Sequence, residues 1–341
     1  MEGIDNQVIL LTGGTGSFGN KFIETVLRRY QPKKLIVFSR DELKQLDMRQ
    51  RFPESRYPCM RYFIGDVRDK ERLQRAFEGV DIIVHAAALK QVPTAEYNPL
   101  EVIKTNVLGA ANIIDVAIDC GVRRVIALST DKAVNPINLY GATKLCSDKL
   151  FIGAGVYAGA RDTHYSIVRY GNVLGSRGSV IPLFIERRAS GVLPITDPRM
   201  TRFWITLDEA VAFVLRSLGI MRGGEIFIPK LPSMRLIDLA RAIAPECRHD
   251  VVGIRPGEKL HEVLVTEDEA RRALEFHDFF VVQPGPVLNG WKNGRLHTGR
   301  PVPENFRYSS EANERWLTVD ELREIVNGYE SSHTALRAAV G

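Results

Sequence analysis

The sequence predicts an α/β protein in which a doubly wound parallel sheet is joined to a smaller, discontinuous substrate-binding cap. Two observations predict the sheet: short apolar, β-branched runs alternate with helical segments over residues 1–170, and a glycine-rich turn joins the first strand to the first helix. The alternation is lost afterwards, except for a strand at 225–229 that we expect to return to the main sheet. Residues 171–330 should therefore form mainly the cap, and residues 331–341 a loose tail.

Length and composition limit the class of protein. The 341 residues suffice for about two domains, and the 45% hydrophobic share is typical of a globular enzyme. The net charge of +5, without a long Lys/Arg run, favours a small anionic ligand over nucleic acid. Four scattered cysteines and seven histidines without metal-ligand spacing predict free thiols and no metal site. No signal peptide and no apolar run of about 20 residues are visible, so we expect a cytoplasmic protein without a membrane partner.

The first turn of the chain carries a phosphate-binding glycine pattern. It follows the apolar strand Val8–Leu11 and precedes a helical segment, Asn20–Tyr30. Glycine allows the tight turn and lets the backbone approach a pyrophosphate, whose charge then lies at the helix N-terminus. This context predicts a dinucleotide-binding site. The residues of the turn assigned to the dinucleotide are Gly13, Gly16, Ser17, Phe18 and Gly19.

The end of the second strand, Lys34–Phe38, bears on which dinucleotide binds. A site for NAD has an acidic residue at this strand end to bind the ribose hydroxyls, whereas this chain has Ser39 and Arg40, with Lys44 one helical turn later. A guanidinium and an ammonium suit the ribose 2′-phosphate of NADP. Asp41 argues against this choice unless it caps the following helix. We therefore favour NADP.

Three later segments add residues to the predicted dinucleotide site. Asp66, after the third strand, is placed to meet the adenine edge, since the alternative of a helix N-cap suits Asp69 better. Small residues after the fourth strand, Asp81–His85, would let a ribose lie against the backbone, while we expect His85 itself to be packed or hydrogen-bonded. Asn106, inside an apolar helix, is either a structural polar contact or a cofactor contact. The residues assigned from these segments are Asp66, Val67, Ala86, Ala87, Lys90 and Asn106.

The segment Ser129–Lys144 is where we expect the chemistry to take place. It begins at the carboxyl end of a buried strand, where open α/β sheets bind ligands. Tyr140 and Lys144 follow on a helix, and their i,i+4 spacing puts both side chains on one face. We expect the ammonium to lower the pKa of the phenol, so that the tyrosine can take a proton from a sugar hydroxyl. The alternative, a surface helix that carries the pair by chance, explains neither the glycine turn nor the Thr130–Lys132 run.

Positive charges are frequent after residue 170. Taken alone, each would be a solvated surface residue, but as loop residues of one cap they could converge on the diphosphate of a nucleotide sugar. Near the chain end, the pattern predicts an amphipathic helix at Thr318–Gly328. The positively charged residues considered for the diphosphate are Arg177, Arg199, Arg202, Arg255 and Lys259.

Several of these motifs resemble the extended short-chain dehydrogenase/reductase superfamily, namely the glycine turn, Tyr140-x-x-x-Lys144 and Asn172-Val173. A narrower resemblance, over nearly the whole chain, is to the inverting UDP-N-acetylglucosamine 4,6-dehydratases of the pseudaminic-acid pathway, and it is weakest at 284–303. The blocks that carry it are Ser39–Lys44, Gly65–Asp69, Ser129–Lys149, Arg169–Val173, Arg199–Glu209 and Gly253–Glu262.

The resemblance implies a Rossmann fold that binds NADP in its main domain and UDP-N-acetylglucosamine under the cap. The expected product is UDP-2-acetamido-2,6-dideoxy-β-L-arabino-hex-4-ulose, inverted at C5, for pseudaminic acid and flagellin glycosylation. A homo-oligomer is also implied, hexamers being known in the family. The implied catalytic residues are Thr130, Asp131, Lys132, Tyr140 and Lys144. The implied substrate-binding residues are Lys90, Asn172, Val173, Arg177, Ser179, Val180, Thr196, Arg199, Met200, Arg202, Arg255 and Glu258.

The expected mechanism gives these residues separate roles. Tyr140, aided by Lys144 and by the Thr130 hydroxyl, deprotonates the C4 hydroxyl of the sugar. Lys132 then removes the C5 proton and Asp131 protonates the leaving C6 hydroxyl, which requires a lowered pKa for the amine and a raised pKa for the carboxyl. The alternative for this second pair is a surface ion pair. The rival functions are a nucleotide-sugar 4-epimerase on the same fold, which needs no such pair, and a non-catalytic NADP(H) sensor.

Overall fold

The computed structural model describes residues 3–174, 180–285 and 298–338. The chain divides into two compact units, each made of three segments. Unit 1 comprises Met1–Tyr170, Leu207–Lys230 and Val265–Arg307, and unit 2 comprises Gly171–Thr206, Leu231–Leu264 and Tyr308–Gly341. The division after Tyr170 lies where the sequence predicted it.

The strands and helices alternate along the first half of the chain, as the apolar runs predicted. The strands are, in chain order, β1 (Val8–Thr12), β2 (Lys34–Ser39), β3 (Met60–Ile64), β4 (Ile82–His85), β5 (Arg124–Thr130), β6 (His164–Tyr170), β7 (Asn172–Val173), β8 (Val192–Ile195), β9 (Thr201–Ile205), β10 (Ile226–Pro229), β11 (Ser233–Arg235), β12 (Arg248–Val251), β13 (Val263–Val265), β14 (Ala273–Glu275), β15 (Phe279–Val282), β16 (Arg300–Pro301) and β17 (Tyr308–Ser309). The α-helices are α1 (Ser17–Arg29), α2 (Glu42–Arg51), α3 (Lys70–Phe77), α4 (Val92–Tyr97), α5 (Pro99–Ile103), α6 (Gly109–Asp119), α7 (Leu139–Tyr157), α8 (Val180–Arg187), α9 (Leu207–Ile220), α10 (Leu236–Ile243), α11 (Glu267–Ala270) and α12 (Val319–Ala338).

Unit 1 is built on a sheet of the order β16-β14-β15-β10-β6-β5-β4-β1-β2-β3. The strands from β10 to β3 are all parallel, and every residue of β1 and β4 is buried, as expected for strands covered on both faces. The doubly wound parallel sheet, including the return strand near 225–229, is therefore confirmed. Its carboxyl ends lie side by side, since Thr12 is in register with His85 and Thr130 with Tyr170.

The segment 265–307 corrects the predicted division of the chain. We assigned it to the cap, but β14 and β15 pair antiparallel and β15 pairs with β10, which extends the main sheet of unit 1. The alternating pattern of a parallel sheet does not signal such an antiparallel edge, because its strands need no crossover helix.

Unit 2 contains the small sheets β11-β9-β7 and β12-β8. Residues from α8, β8, β9, α10 and α12 form its hydrophobic core, which includes Phe184, Leu193, Trp204, Leu239 and Leu322. Helix α12 extends to Ala338, so the prediction that this helix ends at Gly328 is wrong. The predicted tail therefore overlaps the helix, and its last residues, 339–341, lie outside the described residues. Among the described residues, we find no helix with the length and apolar character that crossing a membrane requires.

Candidate active site

The glycine turn packs directly against the end of β4. Gly13 has a φ of +65°, and a Cβ at this position would lie 2.8 Å from the backbone nitrogen of Ala87. A Cβ on Gly19 would lie 2.1 Å from the carbonyl oxygen of Gly14, so α1 is packed on the turn itself. Only glycine fits at either position, since a real Cβ would displace backbone. The turn therefore lies against Ala86 and Ala87, as the predicted dinucleotide site requires.

The N-terminus of α1 is suited to an anion. The helix begins at Ser17, its N-cap Gly16 provides no side-chain hydrogen bond, and its first turn contains no acidic residue. A Cβ built on Gly16 would meet only the carbonyl oxygen of Gly13, at 3.2 Å. N–H groups at a helix start that no side chain caps are a binding site for phosphate, which the helix dipole also favours. The turn therefore fits a dinucleotide pyrophosphate.

The end of β2 brings together the residues assigned to the ribose phosphate. Asp41 caps α2 by accepting a hydrogen bond from the backbone N–H of Lys44 at 3.0 Å. This cap is the condition under which the sequence favoured NADP over NAD. The Asp41 carboxylate also pairs with the Lys44 ammonium. Ser39 is buried, and its hydroxyl accepts a hydrogen bond from Gln45 at 3.0 Å. Arg40 is 51% exposed and lies 3.6 Å from Asp66. Arg40 is thus the more accessible of the two predicted cations.

Asp66 is held by a basic neighbour. Its carboxylate accepts hydrogen bonds from the Arg68 guanidinium at 2.7 Å and 2.9 Å and from the Arg68 backbone N–H at 2.9 Å. Burial raises the pKa of Asp66, but the hydrogen bonds from Arg68 outweigh this effect and keep the pKa below its usual value. Asp69 caps α3, so the assignment of the N-cap to Asp69 rather than Asp66 is confirmed. Val67 is buried.

Asn106 lies in a π-helical turn, Lys104–Leu108, between α5 and α6. Its amide donates to the carbonyl of Leu89 at 2.9 Å and to the Thr143 hydroxyl at 3.1 Å, and its oxygen accepts from the Leu89 N–H at 2.9 Å. Such turns are frequent at functional sites. The structural reading of Asn106 is therefore confirmed, because it fastens the segment after β4 to α7; a contact with the cofactor stays a prediction. Lys90 follows this segment and is exposed overall, although partial burial of its amine lowers the pKa of this side chain.

His85 is a packed residue, as predicted. Its Nδ1 lies 2.8 Å from the Thr12 hydroxyl, and its ring packs against Phe151 with 5.6 Å between the centroids. Burial, reinforced by the charge of Lys144, lowers the pKa of His85 to about 3. The imidazole is therefore neutral at physiological pH and belongs to the support of the site.

The Thr130–Lys132 run forms a compact acid–amine cluster at the end of β5. A short 3₁₀ turn, Asp131–Ala133, starts there and is capped by the Thr130 hydroxyl. Asp131 is 0% exposed, and one of its oxygens accepts from the Thr130 hydroxyl at 2.9 Å and from the Lys132 ammonium at 2.8 Å. The two residues do form an ion pair at the strand end, but its carboxylate is buried rather than solvated. A catalytic role for the pair stays a prediction.

Helix α7 packs its first turn on this cluster. Asn138 caps the helix by accepting from the Gly141 N–H at 2.7 Å, and Glu96 accepts from the Leu139 N–H at 2.7 Å. A Cβ on Gly141 would lie 2.2 Å from the carbonyl oxygen of Lys132, so only glycine permits this approach. As a result, Tyr140 reaches Thr130 and forms a hydrogen bond with it.

The charges around Tyr140 differ from our expectation. Burial, followed by the charge of Asp131, raises the pKa of the Tyr140 phenol, and the hydrogen bond with Thr130 only partly offsets this. The prediction that Lys144 lowers this pKa is wrong for the arrangement seen here, because the Lys144 ammonium donates to the carbonyl of Leu128 at 2.8 Å. Burial lowers the pKa of Lys144, and the charge of Asp148 raises it.

Sequence reasoning missed a buried ionic network behind this pair. Asp148 accepts a hydrogen bond from Ser129 at 2.7 Å and lies 3.7 Å from Arg169, whose guanidinium donates to both Glu269 oxygens at 3.0 Å and 2.9 Å. Two sequence signals could have pointed to it. Asp148 follows Lys144 at i,i+4 spacing, and Thr266-x-x-Glu269 is a capping box, which the structure confirms for α11.

Unit 2 contains a cavity of about 490 Å³, and most of the predicted substrate-binding residues line it. The predicted residues that line it are Asn172, Val173, Val180, Thr196, Met200, Arg202, Arg255 and Glu258. Sequence reasoning missed its apolar wall, which comes from the core pattern of unit 2 and includes Ile181, Phe184, Trp204, Met234 and Leu236. An apolar cavity with a few charged groups is typical of a small-molecule site.

Among the cations considered for a diphosphate, two line the cavity. Arg202 is fixed there, since it donates to the carbonyls of Thr201 at 2.7 Å and Leu260 at 3.2 Å. Arg255 lines the cavity with it. Arg199 does not line it: this side chain is 72% exposed and pairs with Asp197, whose pKa it lowers to about 2 through hydrogen bonds. Lys259 pairs with Glu262. Arg177 and Ser179 lie outside the described residues.

Comparisons with known proteins agree with the family that the sequence motifs indicate. The family described as polysaccharide biosynthesis protein matches residues 9–284. This chain belongs to that family. The UDP-N-acetylglucosamine 4,6-dehydratase (inverting) of Campylobacter jejuni subsp. jejuni serotype O:2 is 53% identical over 94% of this chain and 98% of its own length. The resemblance read from the motifs is thus confirmed. A UDP-glucose 4-epimerase of Rickettsia conorii is 43% identical over 94% of this chain and 95% of its own length.

Solved structures agree with the fold. The X-ray structure of Pen from Bacillus thuringiensis matches with a TM-score of 0.87 at 34% identity, over 96% of this chain and 98% of that chain. DesIV, a dTDP-glucose 4,6-dehydratase from Streptomyces venezuelae with NAD and TYD bound, matches with a TM-score of 0.65 at 26% identity, over 74% of this chain and 86% of that chain. The predicted Rossmann-type α/β fold is therefore confirmed.

Proposed function

We propose that this chain is a UDP-N-acetylglucosamine 4,6-dehydratase that inverts C5 and yields UDP-2-acetamido-2,6-dideoxy-β-L-arabino-hex-4-ulose. One observation carries the proposal: the buried carboxylate of Asp131 accepts a hydrogen bond from the Lys132 amine at 2.8 Å. The charge of this carboxylate also acts on the Tyr140 phenol. A 4,6-dehydration needs an acid and a base beyond the tyrosine, and this cluster supplies both. The Campylobacter jejuni relative described above supports the choice of substrate and stereochemistry.

The first step is oxidation at C4. Tyr140 takes the proton of the C4 hydroxyl, and the Thr130 hydroxyl, already hydrogen-bonded to the phenol, orients it. Burial and the charge of Asp131 raise the pKa of Tyr140, so its phenolate needs a nearby positive charge. The Lys144 ammonium, bound to the Leu128 carbonyl in the arrangement seen here, would have to turn toward the phenol to supply it. A bound dinucleotide, with its pyrophosphate held by the glycine turn and the start of α1, would supply the hydride chemistry at C4 and C6.

The second step is loss of water between C5 and C6. A proton transfer along the 2.8 Å contact from the Lys132 ammonium to Asp131 gives a neutral amine and a carboxylic acid. The amine then removes the C5 proton, which the C4 ketone acidifies, while the acid protonates the departing C6 hydroxyl. The C6–O bond breaks, a C5–C6 double bond forms, and the starting ion pair is restored. Return of the hydride to C6 and protonation of C5 by water on the opposite face then give the inverted product.

The cavity of unit 2 supports a nucleotide diphosphate as the handle of the substrate. Arg202 and Arg255 provide two guanidiniums, which bind phosphate oxygens by charge-assisted hydrogen bonds. The apolar wall around Trp204 and Met234 suits a base and a ribose. The contacts assigned to Lys90, Arg177, Ser179 and Arg199 stay predictions.

A mutation at Lys132 separates the two steps. We expect Lys132→Ala to lower the rate of 4-keto-6-deoxy product formation by about 10²–10⁴-fold, because a general base is lost, while dinucleotide affinity stays unchanged. Product is measured by mass spectrometry and dinucleotide binding by calorimetry. Lys70→Ala, at an exposed lysine paired with Asp115, is the matched control and should behave like the wild type. Undiminished turnover in Lys132→Ala would remove Lys132 from the mechanism.

The solved dehydratase DesIV holds NAD, and for this chain we propose a nicotinamide dinucleotide at the glycine turn, NADP rather than NAD. Capping of α2 by Asp41 supports this choice, since that carboxylate is engaged with Lys44, and Arg40 is exposed beside the strand end. We expect Arg40→Ser to weaken NADP binding about tenfold or more, because a charge-assisted contact is lost, with little change for NAD. Calorimetry with both dinucleotides measures the effect. Equal losses for NADP and NAD would contradict the assignment.

The 43% identity to a UDP-glucose 4-epimerase makes nucleotide-sugar 4-epimerisation the second candidate function. An epimerase would use Tyr140 and Lys144 and would have no role for an acid–base pair at 131 and 132. Incubation with UDP-N-acetylglucosamine and no added dinucleotide distinguishes the possibilities: a dehydratase product is lighter by one water, an epimerase product has the same mass, and a non-catalytic sensor makes none. NMR of the product formed in deuterium oxide then tests inversion at C5.

Three further expectations stay predictions: a homo-oligomer such as a hexamer, a cytoplasmic location, and a role in pseudaminic acid or flagellin glycosylation.

A further inference from the structure

We propose that Asp148 is a positioning residue for the Tyr140–Lys144 pair, and that its carboxylate, held in place by Ser129 and Arg169, keeps Lys144 in the ammonium form. The inference rests on the proposed function only in treating these two residues as the proton-transfer pair. It holds equally for a dehydratase and for an epimerase.

The geometry comes from three elements of unit 1. Asp148 follows Lys144 by one turn of α7, so both side chains lie on one face of the helix. Its Oδ2 accepts a hydrogen bond at 2.7 Å from Ser129, whose strand β5 also provides, through Leu128, the carbonyl that binds the Lys144 ammonium at 2.8 Å. In the next strand, Arg169 is in register with Ser129 and lies 3.7 Å from the same carboxylate oxygen. Asp148 is thus fixed from two sides.

Burial makes the charge of Asp148 consequential. Asp148, Lys144 and Arg169 are each less than a tenth exposed, so water screens their interactions only weakly. Burial raises the pKa of Asp148 above its usual value, and the charges of Arg169 and Lys144 and the hydrogen bond from Ser129 offset only part of this effect. Burial likewise lowers the pKa of Lys144, and the charge of the Asp148 carboxylate offsets part of that effect. Each charge therefore supports the ionised state of its neighbour.

Other titratable groups also face this pair. His85 of β4 senses Lys144 and is neutral, Asp131 faces the phenol of Tyr140, and Glu269 of α11 binds Arg169. Glu269 balances the charge of Arg169, so the buried set alternates as Lys144, Asp148, Arg169 and Glu269. Removal of the charge of Asp148 leaves two neighbouring cations, Lys144 and Arg169, without the carboxylate between them.

The test is the pH dependence of kcat/KM in Asp148→Asn, which keeps the size of the side chain and removes its charge. We expect the alkaline limb, where Lys144 loses its proton, to move to lower pH by about one unit, because an opposite charge in the same buried site favours the charged form of a group. At a pH above the new limb, kcat/KM should therefore fall about tenfold or more relative to the wild type. Asp148→Glu, which keeps the charge, should restore much of the wild-type profile.

Two further variants keep the test decisive. Asp115→Asn makes the same change of net charge at an exposed carboxylate paired with Lys70, and it should leave the profile unchanged. Ser129→Ala removes only the hydrogen bond to Asp148 and should move the alkaline limb in the same direction by less; it decides the outcome if Asp148→Asn does not fold. A lowered kcat with an unmoved limb in Asp148→Asn would mean a purely structural role and would overturn the inference. Absence of turnover by the wild-type protein would instead count against the proposed function.

Discussion

His85 illustrates at the residue scale how packing decides the charge of a side chain. It ends β4, hydrogen-bonds Thr12 and lies over Phe151, so a protonated imidazole would be buried beside the Lys144 ammonium. The pKa of His85 is accordingly about 3, compared with an ordinary value of 6.5. Below pH 6.5 the unfolded chain therefore binds a proton that the folded chain does not bind until about pH 3, and stability falls as the pH falls through this window.

This difference gives a measurable prediction. Between pH 7 and pH 5, the wild type should lose about 2 kcal/mol of unfolding free energy through His85 alone, since each pKa unit corresponds to about 1.4 kcal/mol. His85→Gln keeps a hydrogen-bonding side chain but has no proton to gain, so its stability should fall less over the same range. Urea titrations at the two pH values measure both proteins. Equal losses would show that His85 is protonated in the folded state.

The element that bears most directly on cofactor binding is α1. No side chain caps its N-terminus and its first turn lacks acidic residues, although a carboxylate there would stabilise the helix through its dipole. The absence of a stabilising carboxylate at the start of α1 leaves its N–H groups available to an anionic ligand. The glycines before it serve the same end, because they bring the backbone of the turn against Ala87.

We therefore expect Ser17→Glu to have opposite effects on stability and on binding. The dinucleotide-free protein should become more stable by about 0.3–1 kcal/mol, because a negative charge at the helix start interacts favourably with the dipole. Dinucleotide affinity should fall about tenfold or more, because the same charge repels the pyrophosphate. Thermal unfolding and calorimetry measure the two quantities, with Ser17→Ala as the uncharged control. Unchanged affinity in Ser17→Glu would place the pyrophosphate elsewhere.

At the scale of the whole molecule, unit 1 depends on segments that are far apart in the chain. Its strand β6 pairs with β10, β10 pairs with β15, and Arg169 of β6 binds Glu269 of α11. A chain that ends at Tyr170 would leave β6 as an exposed edge strand and Arg169 without Glu269. The network behind the candidate active site is completed only by Glu269, which follows the second excursion of the chain into unit 2.

We expect the fragment 1–170 not to unfold cooperatively on heating, and to aggregate or remain partly folded. The fragment 1–230 restores β10 but still lacks Glu269, so it should be more soluble without reaching the stability of the full chain. Circular dichroism and thermal unfolding of the three proteins measure these effects. A cooperative transition of fragment 1–170 near that of the full chain would show that the later segments add little to the fold.

Local patterns in the sequence were enough to predict the parallel sheet, the glycine turn and the placement of Tyr140 and Lys144 on a helix. Each depends on residues close in the chain: strands covered on both faces read as apolar runs, and i,i+4 spacing fixes a shared helix face. The caps at Asp41 and Asp69 are local in the same sense, since each carboxylate bonds a backbone N–H three residues ahead. They were therefore predictable as well.

Contacts between residues far apart in the chain determine two features that local sequence patterns did not predict. The assignment of 265–307 to unit 1 depends on antiparallel pairing with β10, and the charge state of the candidate active site depends on Arg169 and Glu269, which are 100 residues apart. The pKa of Tyr140 also moved against our prediction, because burial and the charge of Asp131 raise it. Burial and long-range charge are properties of the packed chain, so only the tertiary structure determines them.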